Sequence, residues 1–376
     1  MHFVGVFFCA KIPHHLPSPD NSKQCERLIK TCYNESGYIQ KLGVWIMAIT
    51  IRDIAKEAGV SIATVSRYIN NSGYVKSETK DLVEAAIDKF NYVPNAAAVS
   101  LSKRVSNVIG VIVPEISNPF NSDVIKGIIK QAERENLAVI LCDSQEDIIS
   151  ENRGLRVFIH QQVRGLIMIP LVDDVSLNPK FFKNLGQVDF PVICIDREVK
   201  GLDVDGFYYN NYLNSYKAAK YLHDLGHEEV VVVAGDQNSE DGRQRLDGFI
   251  NAYDDFGLEI PDENIIYGEF DEELAYQLTK EYFSAKSKVK AVYSSGYKMT
   301  KGILKALFEM KLEKKVHIFS FDKIELFDVL NIESYYFERN PIKLGEDAME
   351  LMLKRIKGEE YDTKKVLVPL KINKTL

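Results

Sequence analysis

The sequence predicts a small all-α unit near residue 50, followed by a larger α/β core of doubly wound parallel sheets. Apolar residues recur at helical spacing between residues 51 and 90. From residue 108 onward, short β-branched apolar runs alternate with amphipathic segments, as expected for buried parallel strands separated by helices. At 376 residues the chain is too long for one core, so two or three domains are expected.

The first two helices are predicted to meet at a tight corner. Apolar residues three and four positions apart form one face of the first helix: Ile51, Ile54, Ala55 and Ala58. Gly59 supplies the left-handed backbone that ends this helix, and Ser61 is a good cap for the next one. In the second helix Val65 and Ile69 face inward, which leaves an outer face that fits a DNA major groove.

A third helix is predicted from a capping-box-like start at Ser77. It is followed by apolar residues at helical spacing: Leu82, Val83, Ala86, Ile87 and Phe90. Three short helices would then share one small core. This pattern is typical of a helix-turn-helix, although any three-helix bundle has similar spacing.

Over residues 48–376 the sequence resembles the lactose-repressor (LacI/GalR) family of transcription regulators. The segments that carry the resemblance fall in the family's order: Ala63–Arg67 with Asn70, Tyr92–Asn95 with Leu101, Ile109–Pro114, Ser117–Phe120, Gly165–Ile167, Ile195–Arg197, Leu225–His227, Arg245–Phe249 and Ser320–Asp322. The resemblance implies a helix-turn-helix headpiece joined by a hinge helix to a two-lobed core like that of periplasmic binding proteins.

The resemblance also implies which residues contact DNA. Ile62 and Ala63 match base-contacting positions and would touch thymine methyl groups, while the Arg67 guanidinium can bridge O6 and N7 of guanine. Four further headpiece residues are expected to position phosphates: Thr64, Ser66, Asn70 and Tyr92. Thr50 is also expected to contact DNA. In the hinge, Asn95 and Leu101 belong to a helix that folds only on DNA, with Leu101 wedged into the minor groove.

The predicted core strands locate a candidate effector cleft. The apolar runs are Val108 to Val113, Ala138 to Cys142, Gly165 to Ile169, Val192 to Ile195, Val230 to Ala234, Ala291 to Tyr293 and His317 to Phe321. Ligands of such sheets bind outside the carboxyl ends of the strands. The candidates are Asn118, Phe120, Asp196, Arg197, Arg245 and Asp322. By resemblance, Arg245 and Asp322 form the pair that binds ligand hydroxyl groups.

Some positions depart from the family pattern. Ser295-Gly296-Tyr297 replaces a common Ala-Asn-Asp, Lys323 replaces a frequent second aspartate, and Asn340 stands where glutamine is common. Part of the usual sugar-binding set is therefore missing. The cleft is expected to bind a sugar, to bind an anionic or phosphorylated ligand instead, or to have stopped sensing small molecules.

Charge and motif content argue against other classes of protein. The net charge is −7, but residues 47–106 contain eight Lys and Arg against six Asp and Glu, a basic bias that suits phosphate contact. No nucleophile elbow, zinc-binding motif or P-loop is present, and His160, His223, His227 and His317 lie singly, so neither catalysis, nor a cofactor, nor a metal is expected. The five cysteines lack metal-ligand spacing and suit a reducing cytoplasm.

The expected domains are a headpiece at residues 47–94, a hinge helix and linker at 95–106, and a core at 107–376. The first lobe would span about 107–208 and 342–360, and the second about 209–341 and 361–376. Residues 1–46 precede the resemblance and show no clear periodicity. They are interpreted as a start codon assigned too early, with Met47 as the true first residue; a disordered arm or a small regulatory extension is the alternative.

The expected function is transcriptional repression by a homodimer on a pseudopalindromic operator, controlled by a sugar or sugar phosphate. Control by a protein partner, as in the family's catabolite-control members, is the alternative. A ligand-binding or enzymatic α/β protein without DNA binding is a third possibility, which the headpiece argues against.

Overall fold

The computed structural model describes residues 39–41, 44–46, 49–70, 73–92, 106–187, 190–285, 288–359 and 362–375. It contains two compact units, one within residues 10–105 and the other containing residues 106–376. The expected hinge residues Asn95 and Leu101 lie outside the described residues, as does most of the expected extension. Within that extension, Ile39–Lys41 (β1) and Val44–Ile46 (β2) form a short antiparallel ladder that the sequence did not predict.

The headpiece contains the predicted helices α1 (Ile51–Glu57), α2 (Ile62–Asn70) and α3 (Ser77–Phe90). Gly59 has a φ of +66°, the left-handed conformation that ends α1. The Ser61 hydroxyl accepts a hydrogen bond from the Thr64 amide at 3.1 Å and so caps α2, as predicted. α3 begins one residue early, with Lys76 rather than Ser77 at the capping position, so the expected capping box does not form.

The three helices enclose one small apolar core. Its buried members come from all three helices and the turn that follows α1: Ile54, Ala55, Ala58, Val65, Val83 and Ala86. On the surface, Lys89 of α3 pairs with Glu57 of α1 at 2.7 Å. The headpiece therefore holds α2 against α1 and α3 through apolar contact, with exposed charges adding little.

The first lobe of the core is a fully parallel six-stranded sheet with strand order β13-β7-β6-β5-β3-β4. Its strands are β3 (Val108–Val113), β4 (Ala138–Asp143), β5 (Leu166–Met168), β6 (Val192–Asp196), β7 (Asp205–Tyr208) and β13 (Lys365–Leu367). Its helices are α4 (Pro119–Arg134), α5 (Ile148–His160), α6 (Pro179–Leu185) and α12 (Pro341–Ile356).

The second lobe has strand order β14-β12-β11-β10-β8-β9 and is parallel except for its edge strand β14. Its strands are β8 (Val231–Ala234), β9 (Ile265–Tyr267), β10 (Ala291–Ser294), β11 (His317–Ser320), β12 (Ser334–Glu338) and β14 (Lys371–Lys374). Its helices are α7 (Asn211–Asp224), α8 (Glu240–Asp255), the 3-10 turn Asp262–Asn264, α9 (Glu272–Ala285), α10 (Tyr297–Glu309) and α11 (Glu325–Leu330). The predicted pair of doubly wound sheets is confirmed.

One expected lobe boundary is wrong. The sequence assigned residues 361–376 to the second lobe, but β13 pairs with β7 of the first lobe, and only β14 joins the second. All side chains of β13 are exposed, so the segment has no burial pattern from which its sheet could be inferred. The chain thus crosses between lobes after Tyr208, after Glu338, and between β13 and β14.

Helices α4 and α12 of the first lobe pack closely where each contributes a glycine. A Cβ atom at Gly127 would lie 2.0 Å from the Ile342 carbonyl oxygen, and one at Gly345 would lie 2.1 Å from that of Val124. This contact fixes the start of α12, and with it the crossing after Glu338. Over the described residues, no helix has both the length and the apolar character needed to span a bilayer.

Candidate functional site

The outer face of α2 presents the predicted base-contacting residues together. The Ile62 side chain is 45% exposed, Ala63 and Arg67 are also exposed, and Thr64 and Ser66 are half-buried beside them. Val65 is fully buried and anchors the opposite face of the helix. The face therefore offers two small apolar groups and one guanidinium to a partner, with hydroxyl groups at its margin.

The other residues predicted to contact DNA also make contacts within the headpiece. The Thr50 amide and hydroxyl both donate to Asp53, at 2.9 and 2.7 Å, which closes the start of α1 and lowers the pKa of Asp53. The Thr64 hydroxyl lies 2.8 Å from that of Ser61. Tyr92 packs against the headpiece core. The side chain of Asn70 lies outside the described residues.

The core brings all six predicted effector residues to one cavity of about 80 Å³ between the lobes. Most of them lie beyond the carboxyl ends of strands, as the sequence rule predicted: Asn118 after β3, Asp196 and Arg197 at the end of β6, and Asp322 after β11. Phe120 lies in the first turn of α4, and Arg245 lies on α8. The cavity therefore lies where a ligand would contact both lobes.

Asn118 and Asp196 shape the first-lobe wall of this cavity. The Asn118 side chain accepts a hydrogen bond from the Phe120 amide at 3.0 Å, which caps α4 and fixes the position of the Phe120 ring. Asp196 adopts a φ of +68°, a left-handed conformation that aspartate tolerates better than most residues. This bend lets the side chains of Asp196 and Arg197 leave the end of β6 on the cavity side.

A buried ion pair joins the lobes at one end of the cavity. Arg197 Nε of the first lobe lies 3.1 Å from Asp241 Oδ2 of the second. The other oxygen of Asp241 accepts a hydrogen bond from the side-chain Nδ2 of Asn211 at 3.1 Å. Burial raises the pKa of Asp241, and Arg197 opposes this by favouring the carboxylate. Beyond this pair lies a larger groove of about 780 Å³, which shares Asp196, Arg197 and Asp241 with the small cavity.

Arg245 and Asp322, the predicted hydroxyl-binding pair, both line the cavity, and each contacts different groups of the chain. Arg245 donates to the Asn211 side chain at 2.9 Å and to the Ser295 carbonyl at 2.8 Å, and its guanidinium stacks on Phe321 at 3.7 Å. Asp322 instead accepts from Arg339 at 2.7 Å. Both residues are therefore already engaged by the chain itself.

Arg339 also lines the cavity, although it is not among the residues that the sequence predicts there. Its guanidinium donates to Asp196 of the first lobe and to Asp322 of the second, each at 2.7 Å. The guanidinium carbon lies 3.7 Å from the centre of the Phe120 ring and 4.3 Å from that of Tyr209. Arg339 directly follows β12, so the strand-end rule would have identified it had β12 been predicted.

The residues that depart from the family pattern lie in different parts of the structure. Gly296, Tyr297 and Lys298 line the cavity, and Lys298 pairs with Glu115 of the first lobe. Lys323 points elsewhere and pairs with Asp328 at 3.1 Å. The Asn340 side chain caps α12 by accepting from the Lys343 amide, so Arg339, not Asn340, enters the cavity. Within the described parts of the chain, no cluster of three or more His, Cys, Asp or Glu is placed to hold a metal ion.

Comparisons with known proteins match both the headpiece and the core of the chain. A model of the periplasmic binding protein domain matches residues 109–360, and a model of the bacterial regulatory proteins of the lacI family matches residues 50–95. The chain is 27% identical over 315 residues to the HTH-type transcriptional repressor PurR of Photobacterium profundum, covering 83% of this chain and 93% of that protein. It is 28% identical over 309 residues to the ribose operon repressor of Escherichia coli K12, covering 82% and 93%.

Solved structures share the fold. The crystal structure of the lac repressor dimer bound to operator and the anti-inducer ONPF superimposes with a TM-score of 0.76 at 20% identity, covering 88% of this chain and 99% of that one. The complex of the transcriptional regulator CelR with cellobiose gives a TM-score of 0.62 at 21% identity, covering 86% of this chain and 98% of that one. The two family models, which match residues 50–95 and 109–360, show that the chain belongs to the lacI family of bacterial regulatory proteins, a family of DNA-binding transcription regulators, with a periplasmic binding protein domain as its core.

Proposed function

We propose that this protein is a repressor that binds a pseudopalindromic operator as a homodimer, with α2 of each headpiece in the major groove. The exposed face formed by Ile62, Ala63 and Arg67 carries this proposal, because an apolar pair beside a guanidinium can read thymine methyl groups next to a guanine. One headpiece reads only a half-site, so two copies are needed for a specific operator.

The remaining predicted contacts complete this proposal. Thr50, Thr64, Ser66, Asn70 and Tyr92 hold phosphates and set the register of α2 in the groove. Asn95 and Leu101 act in the hinge, which folds on the operator and places Leu101 in the minor groove. Kinking the DNA in this way costs a few kcal/mol, which the wider contact offsets.

Arg67→Ala tests the groove assignment. The operator is first obtained by selection from random DNA, and binding is then measured by titration against every single-base variant of the half-site. Loss of a bidentate contact to guanine should weaken operator binding by about 1–3 kcal/mol and relax the choice of base at one position of each half-site.

Lys89→Ala is the matched control, because it removes the same charge from the headpiece but from α3, where Lys89 pairs with Glu57. Any loss it causes should be uniform across base variants and should show in the salt dependence. If Arg67→Ala changed binding in the same uniform way, the proposed role of α2 would be wrong.

We also propose that a small sugar-like or sugar-phosphate effector controls DNA binding through the cavity between the lobes. Arginine donors, carboxylate acceptors and the Phe120 ring surround that cavity, which is the chemistry that recognises a polyhydroxylated ring. Binding between the lobes would change their relative angle and so shift the affinity for the operator.

Calorimetric titration with a panel of sugars and sugar phosphates tests the effector proposal. A ligand should be found whose binding is lost in Asp322→Asn and in Arg245→Gln. Asp328→Asn should leave its affinity unchanged, because Asp328 pairs with a lysine outside the cavity.

The alternative is control by a protein partner, and the small volume beside Arg339 favours it over a ligand bound at that point. Small-molecule sites commonly measure about 300–1,000 Å³; the cavity beside Arg339 measures about 80 Å³, and only the adjoining groove of about 780 Å³ falls within that range. If the whole panel fails to bind while operator binding is intact, the small-effector proposal is contradicted and the partner-controlled alternative remains.

A further inference from the structure

The centre of the cleft has the composition of a cation site. Two carboxylates, from Asp196 and Asp322, face each other across it, and the rings of Phe120 and Tyr209 lie 6.2 Å apart at an angle of 64° beside them. Carboxylates and aromatic faces together favour a flat, delocalised cation such as guanidinium. The chain's own Arg339 supplies that cation.

We call the space bounded by Asp196, Asp322, Phe120 and Tyr209 the effector cradle. The Arg339 guanidinium fills this cradle, because it contacts both carboxylates and both rings. Its two terminal nitrogens each bind a carboxylate oxygen at 2.7 Å, and only 7% of the side chain is exposed. Burial acts to lower the pKa of Arg339, but the neighbouring carboxylates of Asp196 and Asp322 outweigh it and raise the pKa, so the group stays charged. A buried guanidinium held in this way cannot leave without exposing two unpaired carboxylates.

The two carboxylates belong to different lobes. Asp196 ends β6 of the first lobe, whereas Asp322 follows β11 of the second. Arg339 itself lies between β12 and α12, at the crossing after Glu338. One guanidinium therefore ties the lobes together, in the place that an effector would otherwise occupy.

Little room remains beside the guanidinium. The cavity of about 80 Å³ is too small for a sugar ring, and the nitrogen Arg339 Nε is buried with no hydrogen-bond partner among the described residues. An unsatisfied buried donor is costly, so a small acceptor is expected to lie beside it. The space is suited to a water molecule or to one oxygen atom of a ligand.

We infer that Arg339 is an internal ligand of the cleft: its guanidinium occupies the effector cradle, closes the lobes without a bound effector, and decides what can enter. A neutral polyhydroxylated molecule must displace it from both aspartates and both rings. The inference uses the proposed function only to identify this cleft as the effector site; occupancy and closure can be tested without DNA or effector.

The experiment removes the internal ligand and returns it as a separate molecule. In Arg339→Ala, the full chain should gain a calorimetrically measurable site for methylguanidinium, and the unsubstituted protein should have none. Methylammonium, which carries the charge without the planar fork, should bind at least tenfold more weakly. The double variant Arg339→Ala with Asp322→Asn should bind neither cation.

Lobe closure is measured in the same samples by hydrogen exchange. Residues 115–121 and 236–245 border the cleft from opposite lobes, so their exchange should rise in Arg339→Ala and fall again when methylguanidinium is added. The melting temperature should drop by at least about 5 °C and recover with the same ligand.

Arg355→Ala is the matched control, since Arg355 pairs with buried Asp205 inside the first lobe at 2.7 Å. It should lower the melting temperature without opening the cleft, and methylguanidinium should not protect the cleft segments. If Arg339→Ala fails to fold, Arg339→Lys serves instead, because it keeps the charge but loses the second contact. Unchanged exchange in the Arg339 variant, or equal rescue of both variants, would overturn the inference.

Discussion

At the scale of single residues, Glu151 is the most consequential group outside the two sites. It lies on α5 with its side chain fully buried; one oxygen accepts a hydrogen bond from the Leu171 amide at 3.0 Å, and the other has no partner in the described structure. Burial raises the pKa of Glu151 from its ordinary value near 4.5 to about 7, although Leu171 and Arg197 act in the opposite direction.

This raised pKa makes stability depend on pH. Between about pH 4.5 and 7 the folded protein holds a proton that the unfolded chain releases, so stability is lost as the pH rises through 7. The free energy of unfolding should fall by about 2 kcal/mol between pH 5.5 and 8.5 from this group alone. In Glu151→Gln, urea unfolding should show a pH dependence smaller by that amount.

Glu350→Gln provides the comparison for this measurement. Glu350 is exposed on α12, and its hydrogen bond to Lys354 lowers the pKa of Glu350, so the carboxylate is ionised in both folded and unfolded chains over the same pH range. Its substitution should leave the pH dependence unchanged. If Glu151→Gln also left it unchanged, Glu151 would have to be ionised throughout that range.

The sequence predicts which residues lie at the sites, but it does not predict which groups those residues contact there. It placed Asp196 and Asp322 at the cleft because both follow recognisable strands. It could not show that a third residue, Arg339, binds both of them, because that contact spans 143 residues in one case. Similarly, His227 and His317 look solitary in the sequence but lie 2.9 Å apart, nitrogen to nitrogen.

At the scale of secondary structure, prediction succeeded where a segment is strongly aliphatic or carries a specific end signal. β3 was predicted exactly as observed, and Gly59 and Ser61 located the turn between α1 and α2. β12 was not predicted, since its sequence is Ser-Tyr-Tyr-Phe-Glu and lacks the aliphatic run of its neighbours. The omission of Arg339 follows directly from the omission of β12.

The sheets themselves explain why the two strands nearest the C-terminus, β13 and β14, were missed. β13 and β14 are short edge strands with largely exposed side chains, so neither shows the continuous apolar pattern of a strand buried on both faces. Their pairing is determined by backbone hydrogen bonds to β7 and β12, which only the folded chain brings near. Lobe membership near the C-terminus is therefore a tertiary property.

At the scale of the whole molecule, the inferred role of Arg339 connects the cleft to DNA binding. In this family a ligand between the lobes matters only if it binds one arrangement of the lobes better than another. In the unsubstituted protein the occupant is covalently attached, so its effective concentration is constant. In Arg339→Ala the attached guanidinium is absent, so occupancy of the cleft should depend on the concentration of added methylguanidinium.

Operator binding by Arg339→Ala should therefore depend on methylguanidinium. We expect the operator affinity of this variant to differ at least about fivefold from that of the unsubstituted protein, and to return toward it as the ligand saturates the cleft. Fluorescence anisotropy with labelled operator measures both effects, and the unsubstituted protein should show no response to the ligand. If calorimetry shows that methylguanidinium fills the cleft of Arg339→Ala while operator affinity stays constant, the cleft and the headpiece are energetically independent, and the proposed effector control fails although the internal ligand stands.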